Sequence, residues 1–298
     1  MSPASHPTTH SALTLVASAL ACPECQAGLA MSERSLRCGA GHSFDIAKQG
    51  YVTLLTGAST KMTGDTAAML DARAAFQGGG HFAPIADAIV AAVAGNGSAG
   101  YPGSGPSASA LVLEIGAGTG YYLARVLDAL SHANGIALDV AKPAGRRGAR
   151  AHPRAAAVVA DAWRGLPLRA GTVDAALSVF APRNPDEVAR VLTPNGRFVV
   201  VTPTDRHLAE LIEPLGMVSV DPDKQDRLTA TMSGQFALRG RDAVEYPMKL
   251  ARTDIAQVVG MGPSAHHTDA VESRLAALPD TMEVTASVLV GTYELAGA

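Results

Sequence analysis

All three cysteines of the chain fall in one short stretch, Cys22, Cys25 and Cys38, and His42 follows closely behind the last of them. Two thiols separated by Pro23-Glu24, then a thiol and an imidazole across a Gly-rich turn, supply four soft-to-borderline ligands. Their spacing closes a tetrahedral Zn²⁺ shell. Such a shell leaves no open position for water, so the metal is expected to hold a fold together, and any chemistry belongs elsewhere in the chain. With every thiol assigned to the metal, none is left to pair, which points to a reducing, cytoplasmic compartment. The apolar run Leu13 to Ala21 is not read as a secretory leader, because no Lys or Arg precedes Arg34 and Cys22 is needed for the metal.

At 298 residues, 47% hydrophobic and 17% charged, the chain can bury one good core and carry a small satellite module. No apolar stretch approaches the roughly 20 residues that span a bilayer. A net charge of -3 argues against holding nucleic acid by bulk electrostatics, while leaving room for a local basic face. The composition shifts along the chain define four segments. Residues 1–20, rich in Ser, Thr, Ala and His, are expected to be disordered, and 21–56 form the zinc module. Residues 57–109 form a helical bridge and a Gly/Ser/Pro/Ala linker, and 110–298 the main domain. In the bridge, helical spacing predicts Thr66–Phe76, opened by Asp65 as N-cap, and Pro84–Val93.

From Leu111 onward, apolar runs alternate with helical segments: Leu111–Ile115, Gly135–Val140, Ala155–Ala160, Val173–Phe180 and Arg197–Val201. That alternation predicts an α/β fold with a parallel, doubly wound sheet buried on both faces. The late run Ala286–Tyr293 has no crossover helix after it and reads as an antiparallel edge. The first strand ends in Glu114-Ile115-Gly116-Ala117-Gly118-Thr119-Gly120 and passes at once into a helix. Glycines there let a ligand approach the backbone, and the helix N-terminus presents unpaired N–H groups. The spacing is G-x-G-x-G, with Tyr121 where a dinucleotide fingerprint would carry its last glycine. With an acid two residues before the first glycine, the loop looks like that of the Rossmann-like S-adenosylmethionine methyltransferases. Asp139, ending the second strand, is placed for ribose hydroxyls, and Asp161, ending the third, for an adenine amine beside Ala162.

The stretch Gly41-His42-Ser43-Phe44-Asp45 through Leu55, with Gly64-Asp65, Ala72-Arg73-Ala74-Ala75-Phe76 and Gly80-His81-Phe82, extends the pattern. So do Phe180-Ala181-Pro182, Pro203-Thr204-Asp205-Arg206-His207-Leu208, Tyr246-Pro247-Met248 and Met261-Gly262-Pro263. Together with the cysteines and the Gly loop, these residues resemble the bacterial large-subunit ribosomal RNA guanine-N1 methyltransferases. That family includes the tylosin-resistance methyltransferase of antibiotic-producing actinomycetes, and the resemblance covers nearly everything after residue 21. It implies a class I methyltransferase domain with a zinc ribbon in front, and methyl transfer to N1 of a guanosine in the exit-tunnel hairpin of 23S rRNA. The guanine-748 type is expected over guanine-745, with resistance to macrolides such as tylosin. It also implies that Phe82, Gly118, Thr119 and His207 touch the cofactor, beside Glu114, Gly116, Gly120, Asp139 and Asp161.

Guanine N1 carries a proton that must leave before the nitrogen can attack, so a base or a route to water is required. Asp65 is the candidate base, and Phe180, at the end of the fourth strand, the candidate platform for an extruded guanine, with Pro182 shaping the wall. Arg34, Arg37 and Lys48 in the zinc module, with Lys61 and Arg73 in the bridge, are the candidate RNA contacts. Arg146, Arg147, Arg150 and Arg154 are either further phosphate contacts or a solvated helix face. A homodimer would enlarge this modest basic surface. Two other readings compete: a small-molecule methyltransferase of secondary metabolism, which has no use for a zinc ribbon, and an RNA-binding assembly factor, which has no use for an intact cofactor loop.

Overall fold

The computed structural model describes residues 11–55, 57, 62–95, 109–217, 221, 224–262 and 268–297. It opens with helix α1 (Ser11–Val16) and a 3-10 turn, Ala17–Ala19. Here the expectation of disorder is corrected for residues 11–20. Leu13, Val16, Ala17 and Leu20 fall at i, i+3, i+4 and i+7, and all four are buried in the main core. That apolar stripe outweighs the Ser/Thr/Ala composition around it; residues 1–10 lie outside the described residues. Three short strands follow, β1 (Leu29–Ser32), β2 (Ser35–Cys38) and β3 (Ser43–Asp45), paired antiparallel in that order.

The next strand, β4 (Tyr51–Thr53), leaves the ribbon and pairs in parallel with the later strand Ala155–Val159 as an edge of the large sheet. Helices α2 (Ala67–Gly78) and α3 (Ala83–Ala94) come next. The N-cap of α2 is Thr66, whose hydroxyl accepts from Met69 N–H at 3.2 Å, and not Asp65 as expected. The adjacent hydroxyl satisfies the orphan N–H, which frees the Asp65 carboxylate for another partner.

The main domain runs β5 (Ala110–Ile115), α4 (Tyr121–Ala129), β6 (Ala133–Asp139), α5 (Lys142–Ala151), β7 (Ala155–Val159), β8 (Val173–Val179), α6 (Pro185–Val191) and β9 (Leu192–Pro203). It closes with α7 (Ala209–Leu215), α8 (Lys224–Met232), β10 (Phe236–Ala251), α9 (Arg252–Gly260), α10 (Thr268–Ala277) and β11 (Thr281–Leu295). The eight strands are ordered β10-β11-β9-β8-β5-β6-β7-β4. Every residue of β5 and β7 is buried, as a strand covered on both faces requires. β11 is antiparallel to both its neighbours, so its reversed direction was foreseen, but it is an interior strand and β10 takes the edge. The sequence of β10, FALRGRDAVEYPMKLA, has no apolar run; its Val244, Tyr246, Met248 and Leu250 alternate with exposed residues, as in a strand with one wet face. Parallel strands linked by helices leave their C-terminal ends along one side of the sheet, where ligands of such folds bind.

Candidate functional site

The structure holds two candidate sites. In the ribbon, the ligand atoms of Cys22, Cys25, Cys38 and His42 all lie within 4.8 Å of one another. His42 Nδ1 is 3.6 Å from Cys22 Sγ and 3.4 Å from Cys38 Sγ, and Cys25 Sγ is 3.7 Å from Cys38 Sγ. A tetrahedral zinc with bonds of about 2.0–2.3 Å has ligand–ligand edges of about 3.3–3.8 Å, so the donors fit such an ion. Cys22 and Cys38 are buried in the same apolar cluster as Leu20, Leu29, Leu36 and the sheet residues Leu113, Leu138 and Val158. A zinc ion held by these four residues would tie the ribbon to the main core.

The second site is a cavity of about 450 Å³ over the ends of β5, β6 and β8. Its floor is the glycine loop. Gly116, at φ +69°, lies so close to the next strand's exit that a Cβ would stand 2.6 Å from the Ala181 Cβ. The loop is tied down by Asp139, whose two carboxylate oxygens accept from Gly118 N–H and Ala141 N–H, each at 2.9 Å. Burial raises the Asp139 carboxyl above the usual carboxylate range. Below the loop, Glu114 is 1% exposed and accepts from Leu123 N–H at 3.1 Å, and burial pushes its carboxyl up to about 8. Asp161 is buried and accepts from Trp163 N–H at 3.0 Å, which caps the short 3-10 turn Ala162–Arg164 at the cavity's far end.

Of the nine residues expected at the cofactor, Phe82, Glu114, Gly116, Asp139, Asp161 and His207 line the cavity. Gly118, Thr119 and Gly120 form the loop beneath it, and the Thr119 hydroxyl donates to Gln77 Oε1 at 2.6 Å. Phe82 is buried, its ring 6.3 Å from Phe180 and 5.9 Å from His207. Phe180 itself is 41% exposed, sits at φ +54°, and stacks on the His207 ring at 5.6 Å and 26°. An aromatic held in left-handed backbone and turned outward is not packing the sheet end; it faces the cavity. His207 Nδ1 accepts from Ser287 N–H at 3.1 Å. In the neutral ring the proton therefore sits on Nε2, which makes His207 a donor.

Asp65 lines the cavity and pairs with Arg73, Asp65 Oδ2 to Nη1 at 2.6 Å, while Arg73 Nη2 donates to Met261 O at 3.0 Å. Arg73 is thus held in the cavity wall by these two contacts. Helical spacing held the signal, since Leu70, Arg73 and Gln77 are i−3, i and i+4 on one face of α2. Arg34, Arg37 and Lys48 are exposed on the ribbon, and Lys61 lies outside the described residues. Arg147 is drawn to Asp71 and the Ala67 carbonyl, and Arg154 to the carbonyls of Leu127, Leu130 and Ala133, while Arg146 and Arg150 stay exposed. The four arginines therefore do not act as one phosphate-binding set.

A second cavity, about 500 Å³, runs from Pro23, Glu24 and Gln26 of the ribbon to Arg164 and Asp161, the last shared with the first cavity. Sequence reasoning missed Tyr122, Gln77 and Trp163, all of which line the first cavity. Trp163, the chain's single tryptophan, is 52% exposed there, and nothing in its local pattern distinguished it.

Comparison with known proteins agrees with this geometry. A family model described as RlmA, N-terminal, a zinc ribbon, matches residues 20–59, and a methyltransferase-domain model matches residues 112–196. The chain is 46% identical over 271 residues to the 23S rRNA (guanine(748)-N(1))-methyltransferase of Streptomyces fradiae, covering 90% of this chain and 94% of that protein. It is 47% identical over 289 residues to a Micromonospora griseorubida protein provisionally named a 23S rRNA (guanine-N(1)-)-methyltransferase, covering 92% and 96%. With YxjB of Bacillus subtilis, provisionally given the same activity, it shares 32% over 197 residues, 64% of this chain and 66% of that protein.

Proposed function

The chain belongs to the 23S rRNA (guanine-N1)-methyltransferase family, and from that premise we propose that it methylates N1 of one guanosine in the exit-tunnel hairpin of 23S rRNA. The position is of the guanine-748 type, and the modification confers resistance to macrolides such as tylosin. The observation that carries this reading is the shared wall at Asp161, where the cavity over the glycine loop meets the one that begins at the zinc ribbon. An RNA strand held against Arg34, Arg37 and Lys48 can deliver an extruded base to the loop along that route. A small-molecule methyltransferase would have no need of it.

The cofactor is S-adenosylmethionine and the ribbon metal is structural zinc. When bound, S-adenosylmethionine supplies an electrophilic methyl group on a sulfonium. The residues present fit it: the Gly116–Gly120 loop takes the amino-acid end, Asp139 the ribose and Asp161 the adenine amine. Asp139 accepts two backbone N–H groups, and a carboxylate's four lone-pair sites leave capacity there for a ligand hydroxyl. Phe180 stacks on the guanine and, braced by His207, orients it in line with the methyl. The Ser287 N–H occupies His207 Nδ1, so the ring does not take the guanine proton through that nitrogen. Asp65 is the carboxylate in the cavity wall that takes the N1 proton, and Arg73 holds it in place.

Among the described residues no helix is long and apolar enough to cross a membrane, and we place the protein in the cytoplasm with its ribosomal substrate. We also propose a homodimer, whose two ribbons flank one hairpin; a monomer by gel filtration at working concentration would refute that. The test of the main proposal is transfer of tritiated methyl to 23S rRNA from an unmethylated host, mapped by primer extension. N1 methylation blocks Watson–Crick pairing, so reverse transcriptase should stop at one guanosine of the hairpin. Transfer elsewhere, or none despite cofactor binding, refutes it.

A further inference from the structure

Among the described residues that line the cofactor cavity, Arg73 is the sole lysine or arginine. Its side chain lies directly on the glycine loop, since a Cβ built on Gly118 would stand 2.7 Å from Arg73 Nη1. Gln77, one turn further along α2, grips the same loop through the Thr119 hydroxyl. The loop leads into α4, whose N-cap, Gly120, has no side chain; Glu114 takes the Leu123 N–H from below, and the N–H groups of Tyr121 and Tyr122 precede it at the helix start. A positive helix end and a guanidinium therefore meet at one spot. A guanidinium has five N–H donors, and Arg73 uses one on Asp65 and one on the Met261 carbonyl, which leaves three. Beneath the loop are Glu114 and the buried Tyr122 hydroxyl, which makes no hydrogen bond of ordinary geometry among the described residues.

We propose that Arg73 recognises the α-carboxylate of the cofactor's methionine end, sharing it with the first N–H groups of α4, while Glu114 receives the neighbouring ammonium. The planar fork of arginine matches a carboxylate in a way a lysine does not. Burial, which pushes the Glu114 carboxyl up to about 8, makes that group a poor anion until a cation stands beside it, and an ammonium supplies one. Asp65 and the cofactor carboxylate are then two acceptors on one guanidinium. The inference rests on the methyltransferase reading and is independent of which RNA is modified.

The experiment is calorimetric titration of the full-length protein with S-adenosylhomocysteine and with 5′-methylthioadenosine, which keeps the adenosine and the thioether but lacks the amino-acid end. Arg73→Gln is expected to weaken S-adenosylhomocysteine by about 10- to 100-fold, the loss of a charge-assisted pair, and to leave 5′-methylthioadenosine unchanged. Retained binding of the truncated ligand shows that the variant is folded. Arg73→Lys, a smaller disturbance, should fall between wild type and Arg73→Gln. Equal losses for both ligands overturn the assignment, because Arg73 would then only support the wall. Unchanged S-adenosylhomocysteine affinity with weakened RNA affinity also overturns it, in favour of a phosphate contact. Wild-type protein that fails to bind S-adenosylhomocysteine would instead sink the methyltransferase reading itself.

Discussion

Phe180 combines two features that a pair of substitutions can separate. Its backbone is left-handed at φ +54°, and its ring is 41% exposed while stacked on His207. A residue with a Cβ is disfavoured in that conformation by about 1–2 kcal/mol, whereas glycine is not. Phe180→Ala removes the ring and keeps the strain; Phe180→Gly removes both. Glycine's freer unfolded chain returns about 0.4–1 kcal/mol of the difference. The glycine variant should therefore be the more stable of the two by about 0.5–1 kcal/mol, read as a shift of midpoint in urea at constant m. Both should lose transfer to the RNA hairpin by about 5- to 150-fold in kcat/KM, the value of about 1–3 kcal/mol for one base–aromatic stack. Phe180→Tyr, which keeps the ring, should retain most of the rate. Equal stabilities for the Ala and Gly variants would refute the strained backbone, and full activity in either would refute the stacking role.

Three further outcomes follow from the geometry. Cys25→Ala should lose stoichiometric metal and RNA affinity while S-adenosylhomocysteine still binds; unchanged RNA affinity without zinc would contradict the role given to the ribbon. The folded pKa of Glu114 lies near 8, above its ordinary 4.5, so between those values the native state holds a proton that the unfolded chain has lost. Its contribution is therefore full below about pH 4.5 and disappears as pH rises through 8. Glu114→Gln should gain stability over wild type as pH rises across that window in denaturant titrations, and a gap that does not change with pH would count against the buried acid. Removing Arg34, Arg37 and Lys48 together should flatten the dependence of log affinity on log salt by about 2, at about 0.7 per single-strand phosphate contact; an unaltered slope would place the RNA elsewhere.

The parts of this protein that could be read from its sequence are those where local pattern and tertiary role coincide. Largely buried on both faces, β7 shows as an uninterrupted apolar run and β5 and β8 as apolar runs broken only by Glu114, Asp174 and Ser178, and the metal ligands are legible because Zn²⁺ constrains both residue type and spacing. β10 was missed because its inward-facing residues Val244, Tyr246, Met248 and Leu250 alternate with exposed ones, so it lacks the apolar run that marked the other strands. Without it, β11 looked like the edge. α1 was hidden by composition, although its stripe from Leu13 to Leu20 has helical spacing. Within the site, the loop and its acids were legible, but the partners of Asp65 and His207 were not. Arg73 is eight residues from Asp65, and Ser287 reaches His207 from a strand 80 positions away. Only the packing of α2 on the loop and of β11 beside β9 brings them together.

The most direct test of the account is the chemical identity of the product. The hairpin RNA would be incubated with protein and S-adenosylmethionine carrying a trideuterated methyl group, digested to nucleosides and analysed by mass spectrometry. The account predicts that the heavy methyl appears in 1-methylguanosine, and that Phe180→Ala greatly slows its appearance. Heavy methyl in another position of guanine, in another base, or absent from the RNA while the protein binds S-adenosylhomocysteine, would contradict it.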